Sequence, residues 1–219
     1  MSTARRAAQA VQLAGPAGPL EGLCEEPVHS AGLVAVICHP HPLHGGTLHN
    51  KVVHTLARSF VAGGAVALRF NFRGVGASAG THDGGGGETG DALAAVSYVR
   101  GRWPGAPLLL AGFSFGAVVA MRAAAAAQPA WLVSIAPAVD RVPLAGFTAP
   151  GCPWLIVQGD ADEVVPAVAV LEWVAQLAAR PTLRVLGGVG HFFHGRLHEL
   201  QDCLREEWPA TLKNTGPGA

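Results

Sequence analysis

The sequence has no excess of charge in either direction. Its 219 residues include 15 Lys+Arg and 15 Asp+Glu, with no extended run of either sign. A basic stripe is the footprint of a nucleic-acid partner, and none is present. Long hydrophobic runs are also missing, since the apolar stretches are interrupted before they could span a bilayer. Cysteine is sparse. Cys24, Cys38, Cys152 and Cys203 form no Cys-x-x-Cys pair and read as free, mostly buried thiols in a reducing compartment. There is no Gly-Lys-Ser/Thr to close a phosphate loop and no His-Glu-x-x-His zinc signature. No internal repeat and no linker marks a second domain. At the N-terminus two arginines precede a weakly apolar segment that Gln9 and Gln12 break, so a cytoplasmic location is expected over export.

What is present is apolar and periodic. Half of the residues are hydrophobic, enough to fill the core of one α/β domain. The expected domain covers residues 1–213, with a flexible tail over 214–219. "AVQLAG" and "LEGLCEE" flank the turn signal "PAGP" and predict an antiparallel hairpin. Strands and helices then alternate. "LVAVICHP", "AVALRFNF", "PLLLAGF", "WLVSIA", "WLIVQG" and "TLRVLGG" are buried-strand patterns. Between them lie helical patterns, such as Val52, Leu56 and Phe60 at spacing four. This order predicts a mostly parallel sheet with helices on both faces.

Ser114 stands in "LLLAGFSFGAVVA", where a strand pattern turns into a helix pattern. Gly112-x-Ser114-x-Gly116 is the G-x-S-x-G of a nucleophile elbow, whose glycines allow strand and helix to approach closely. The helix that follows points its positive end at the serine. "GASAG" around Ser78 matches the same expression, but no strand leads into it and "THDGGGG" cannot start a helix, so Ser78 reads as a loop residue. A serine nucleophile needs a base, and the base needs an orienting acid. "DADEVVP" follows "WLIVQG", and "VGHFFHG" follows "TLRVLGG", giving the chain order Ser, Asp, His. His191 has the Gly-His context just past the last strand. His194 and His198 fall at the start of the last helix or face solvent.

These segments, together with "CHPHPLHGG" and "RFNFRGVGASAG", resemble the α/β-hydrolase superfamily. The similarity is to its small single-domain bacterial serine hydrolases, near the dienelactone-hydrolase branch. It spans nearly the whole chain and implies an α/β-hydrolase fold with no cap domain. One departure matters: dienelactone hydrolases carry a cysteine nucleophile where this chain has Ser114, which favours ordinary carboxylic esters as substrates. The family pattern G-x-x-D-x-x-V-P falls on Gly159, Asp162, Val165 and Pro166 and makes Asp162 the acid. Asp160 is then a loop-structuring side chain, and Asp140 the outside alternative. The resemblance also implies an oxyanion hole built from the backbone N–H groups of Phe115 and His41, with Leu43 as second choice. Proline cannot donate, which excludes Pro40 and Pro42.

The expected activity is a carboxylesterase with a Ser114–His191–Asp162 triad, an acyl-enzyme intermediate, a small-molecule ester substrate and no cofactor. Leu43, Phe113, Phe115, Phe192 and Phe193 are the expected apolar surface of the pocket. A thioesterase or small acyl-peptide hydrolase is the nearest alternative, and a non-catalytic binding protein on the same fold is the alternative from another class. Histidines 39, 41, 44, 49 and 54 suggest a rival metal cluster. However, no Asp or Glu lies between Ala31 and Phe60, and alternate residues point to opposite sides. The connection "PAVDRVPLAGFTAPGCP" is too short and too rich in proline to build a lid, so the site is expected to face open solvent.

Overall fold

A computed structural model describes residues 7–144 and 147–212. The tail expected over 214–219 lies outside the described residues. Eight strands form one sheet: β1 Gln9–Gly15, β2 Gly18–Glu25, β3 Leu33–Cys38, β4 Ala65–Phe70, β5 Leu108–Phe113, β6 Trp131–Ile135, β7 Trp154–Gly159 and β8 Thr182–Leu186. Their order is β1-β2-β4-β3-β5-β6-β7-β8. The leading hairpin turns at Pro16 and Ala17, and β2 then pairs antiparallel with β4. All other pairings are parallel.

Strands β3 to β7 are buried along their whole length because helices cover both faces. Alternation divides their side chains between two cores. Val34, Val36 and Leu110 meet α2 Gly86–Arg102 and α3 Phe115–Ala127 on one side. Ala35, Ile37 and Leu109 meet α1 Lys51–Ala62 and α5 Leu197–Glu206 on the other. In α1 the Asn50 side chain caps the Val52 and Val53 amides, and Val52, Leu56 and Phe60 are buried as their spacing predicts. Each such side chain stabilises the fold by about 2 kcal/mol. α3 lies in the middle of its face, where a helix rich in alanine can approach the sheet closely. The remaining helix, α4 Ala167–Ala175, packs beside β7.

The glycine run behaves differently from its sequence reading. α2 starts inside "GGGG", at Gly86, whereas the run was expected to exclude a helix start. Carboxylates at both ends of the first turn hold it. The Gly85 amide donates to Glu88 Oε2 at 2.7 Å, and the Gly87 amide to Asp83 Oδ1 at 2.7 Å. The start lies eight residues beyond Ser78 and so does not convert that serine into an elbow.

No helix interrupts the described part of the connection from β6 to β7. Phe147 folds back onto Trp154 and Trp173. All four cysteines are free, and burial raises the Cys24 thiol to about 11. Among the described residues no helix is long and apolar enough to cross a membrane.

Candidate active site

β5 ends at Phe113 and α3 begins at Phe115, leaving Ser114 alone at the junction. Its φ of 56° and ψ of −119° fall in strained territory for a residue with a side chain, at a cost on the order of 1–3 kcal/mol. The strain is held by its surroundings. The Ser114 amide donates to Ile135 O at 2.8 Å, tying the turn to the end of β6. A Cβ on Gly112 would lie 2.1 Å from Gly116 O, and one on Gly116 would lie 2.2 Å from His39 O. Both glycines of the motif are therefore required by contact with backbone.

The turn aims Ser114 Oγ at His191, 3.0 Å from Nε2. On the other side of the ring, Nδ1 lies 2.8 Å from Asp162 Oδ2. A carboxylate can only accept, so Nδ1 carries the proton and Nε2 is free to accept from the serine hydroxyl. Ser114, Asp162 and His191 are 7%, 8% and 2% exposed, so the relay is largely shielded from water.

Asp162 is held from several directions. Its Oδ1 accepts from the Val164 and Val165 amides at 2.8 and 2.7 Å. Its Oδ2 accepts from Gln158 Nε2 at 3.1 Å as well as from His191. Burial pushes the carboxyl upward, but the bonds from His191, Val165 and Val164 outweigh it and leave Asp162 below its ordinary value. Asp160 structures the loops: its Oδ1 accepts from the Gly188 amide at 2.6 Å. Asp140 pairs with Arg141 and has no part in the relay. Glu163 Oε2 accepts from the His191 amide at 3.2 Å. Gln158 and Glu163 were missed in the sequence reading. Gln158 carried one legible signal, a polar residue inside the otherwise apolar "WLIVQG".

The segment after β3 supplies the second wall. His39 is fully buried, with Nδ1 donating to Pro40 O at 2.7 Å and Nε2 accepting from the Phe72 amide at 3.0 Å. These bonds fix the loop that leads to His41. The Phe115 and His41 amides donate no hydrogen bond among the described residues. The Leu43 amide is engaged, donating to His41 Nδ1 at 3.2 Å. Among the described residues no histidine-rich group could hold a metal ion. His41 instead stacks on His44, His82 and Phe115.

Burial lowers His39 from 6.5 to about 4, partly countered by its bond to Pro40 O. The unfolded chain therefore takes up this proton below pH 6.5, and the folded chain only near pH 4. Stability is complete above that window and falls as pH falls through it, by about 3 kcal/mol in total. Between about pH 7 and about pH 4.5, denaturant midpoints should fall more steeply for wild type than for His39→Gln. Equal slopes would contradict the assignment.

The expected apolar surface needs correction. Phe113 and Phe193 are 0% and 1% exposed and belong to the core beneath α1 and α5. Phe113 points to that side by strand alternation, and Phe193, at φ 52°, is turned inward. Phe115 is 2% exposed and packs under His41 and His82. Leu43 and Phe192, at 72% and 41%, are the exposed members. A cavity of ≈ 210 Å³ lined by Trp131, Trp154 and Thr182 lies at the amino ends of β6 to β8, opposite the Ser114 end of the sheet.

Fold and site together define a lidless serine hydrolase of the α/β class. Residues 41–151 match the family described as Serine aminopeptidase, S33, and the chain belongs to that family. That match includes Ser114 and stops short of Asp162 and His191. The chain is 43% identical to XC6422 of Xanthomonas campestris, an α/β serine hydrolase without a lid. The likeness covers 91% of this chain and 93% of that one at a TM-score of 0.88. An α/β serine hydrolase homologue from Coxiella burnetii is 44% identical over 92% of this chain and 97% of its own, also at 0.88. A protein of Rickettsia prowazekii (strain Madrid E), RP471, is 34% identical over 88% of this chain and 85% of its own length. The resemblance to small lidless α/β-hydrolases, read from the motifs alone, is borne out.

Proposed function

We propose that the protein is a carboxylesterase acting on short to medium acyl esters through an acyl-enzyme. The observation that supports this most is the continuous relay from Ser114 Oγ to His191 Nε2 at 3.0 Å and from His191 Nδ1 to Asp162 Oδ2 at 2.8 Å. His191 takes the serine proton as Oγ attacks the ester carbonyl. Asp162 holds the ring in the required tautomer and stabilises the imidazolium. The Phe115 and His41 N–H groups bind the oxygen as it gains negative charge. The imidazolium then protonates the departing alcohol. Water, deprotonated by the same imidazole, releases the acid and restores Ser114. Every step is supplied by these side chains and amides, and we propose no cofactor. Free thiols at Cys24, Cys38, Cys152 and Cys203 favour a cytoplasmic setting.

Without a lid, the surface near Ser114 can bury only a few methylenes, at about 0.8 kcal/mol each. In a series of p-nitrophenyl esters, kcat/KM is expected to rise over the first few acyl carbons and then level or fall. No jump in rate is expected when the ester passes its solubility limit. A value that climbs into long chains, or a jump on emulsion formation, would contradict this. A second reading, cleavage of peptide bonds, is favoured by the description of the matching family. Amino-acid p-nitroanilides decide between the two: a peptidase turns them over, whereas an esterase cleaves the acyl esters and leaves these amides nearly untouched.

A further inference from the structure

β7 is apolar and buried, yet its penultimate residue is Gln158, itself 0% exposed. Its Nε2 faces three oxygens: Val165 O at 3.0 Å, Asp162 Oδ2 at 3.1 Å and Gly159 O at 3.2 Å. Rotating the amide by half a turn would set oxygen against all three, so chemistry fixes its orientation. The cost falls on the other atom. Oε1 is buried with no hydrogen-bond partner among the described residues. An orphaned buried acceptor is destabilising, and an apolar residue in this strand would avoid it. What glutamine adds here is the donor.

That donor completes the surroundings of Asp162. Oδ1 already receives the Val164 and Val165 amides, and Oδ2 receives His191 Nδ1. Gln158 fills the remaining position on Oδ2 and, through Val165 O, ties the Asp162 loop back to β7. We infer that Gln158 is a positioning residue for the Asp162–His191 pair, an inference that rests on the catalytic reading above. It acts in two ways. It fixes the carboxylate plane against the ring, and it draws electron density from Oδ2, limiting how strongly that oxygen favours the imidazolium. The other charged group at this pair is Glu163, on the His191 amide, with Asp160 further out on Gly188. Phe113 and Phe192 flank the ring.

Gln158→Met keeps the volume, removes the donor and removes the orphaned acceptor. By NMR, the His191 titration should then move to higher pH than in wild type, because Asp162 Oδ2 has lost a competing donor. The acid limb of kcat/KM should move by the same amount, and kcat/KM at neutral pH should fall about 10-fold. An unmoved His191 titration, with or without a loss of thermal stability, would overturn the inference. The wild-type protein offers a test that needs no folded variant. The Gln158 side-chain amide proton shares Oδ2 with His191 and should shift as His191 titrates, whereas an amide blind to that titration would equally overturn it. The two readings fail separately. A wild-type protein that a fluorophosphonate does not label at Ser114 would remove the catalytic reading, while the NMR titrations would still decide the placement of Gln158.

Discussion

Ser114→Ala is expected to lower ester hydrolysis by about 10⁴-fold or more while leaving the thermal midpoint close to wild type. Among the described side chains, Ser114 Oγ bonds only to His191, so its removal deletes the proposed nucleophile at the loss of a single side-chain hydrogen bond. Ser78→Ala is the control, and the structure reverses its signature. Ser78 Oγ accepts from the Glu21 amide at 3.0 Å and donates to Asn71 O at 2.7 Å, joining β2 to the loop after β4. Its loss should cost about 1–3 kcal/mol of stability and spare most of the activity. Substantial activity in Ser114→Ala, or equal losses in the two variants, would contradict the roles assigned to these serines.

Gly116→Ala is expected to lower stability by about 4 kcal/mol or more, leaving little folded protein. The added methyl would lie 2.2 Å from His39 O and 2.5 Å from Cys38 O, both backbone atoms of the neighbouring strand's end. Neither can retreat without moving β3 or the loop that carries His41. Gly101→Ala provides the contrast. A Cβ there meets nothing within 4 Å, and the residue lies in α2, so alanine should stabilise by about 0.5–1 kcal/mol. Urea unfolding of the two variants beside wild type measures both effects. A mild cost for Gly116→Ala would mean that the elbow has room that the contacts deny.

The sheet was legible in the sequence because its strands are short apolar runs set between helical periods. "LVAVIC" and "LLLAGF" are buried on both faces and carry no polar residue to blur the pattern. Ser114, Asp162 and His191 were legible as candidates because each falls just past a strand, where the fold brings them within hydrogen-bond range of one another. Contacts made through backbone or across long separations were not legible. The start of α2 in a glycine run depends on the Glu88 and Asp83 carboxylates capping amides, against the poor helix propensity of glycine. Phe113 and Phe193 were assigned to the surface because they flank candidate residues in sequence. Strand alternation and a positive φ turn them into the core instead. Gln158 acts at a carboxylate four positions away on a loop, and no local pattern reports that distance.

The central claim is that Ser114 is a nucleophile activated by His191 and Asp162. Incubating the wild-type protein with a fluorophosphonate and mapping the adduct by peptide mass spectrometry tests it most directly. The account predicts a single phosphonyl group on the peptide containing Ser114, formed in step with loss of activity, and strongly slowed in His191→Ala. An unlabelled protein, or an adduct on Ser78, would contradict it.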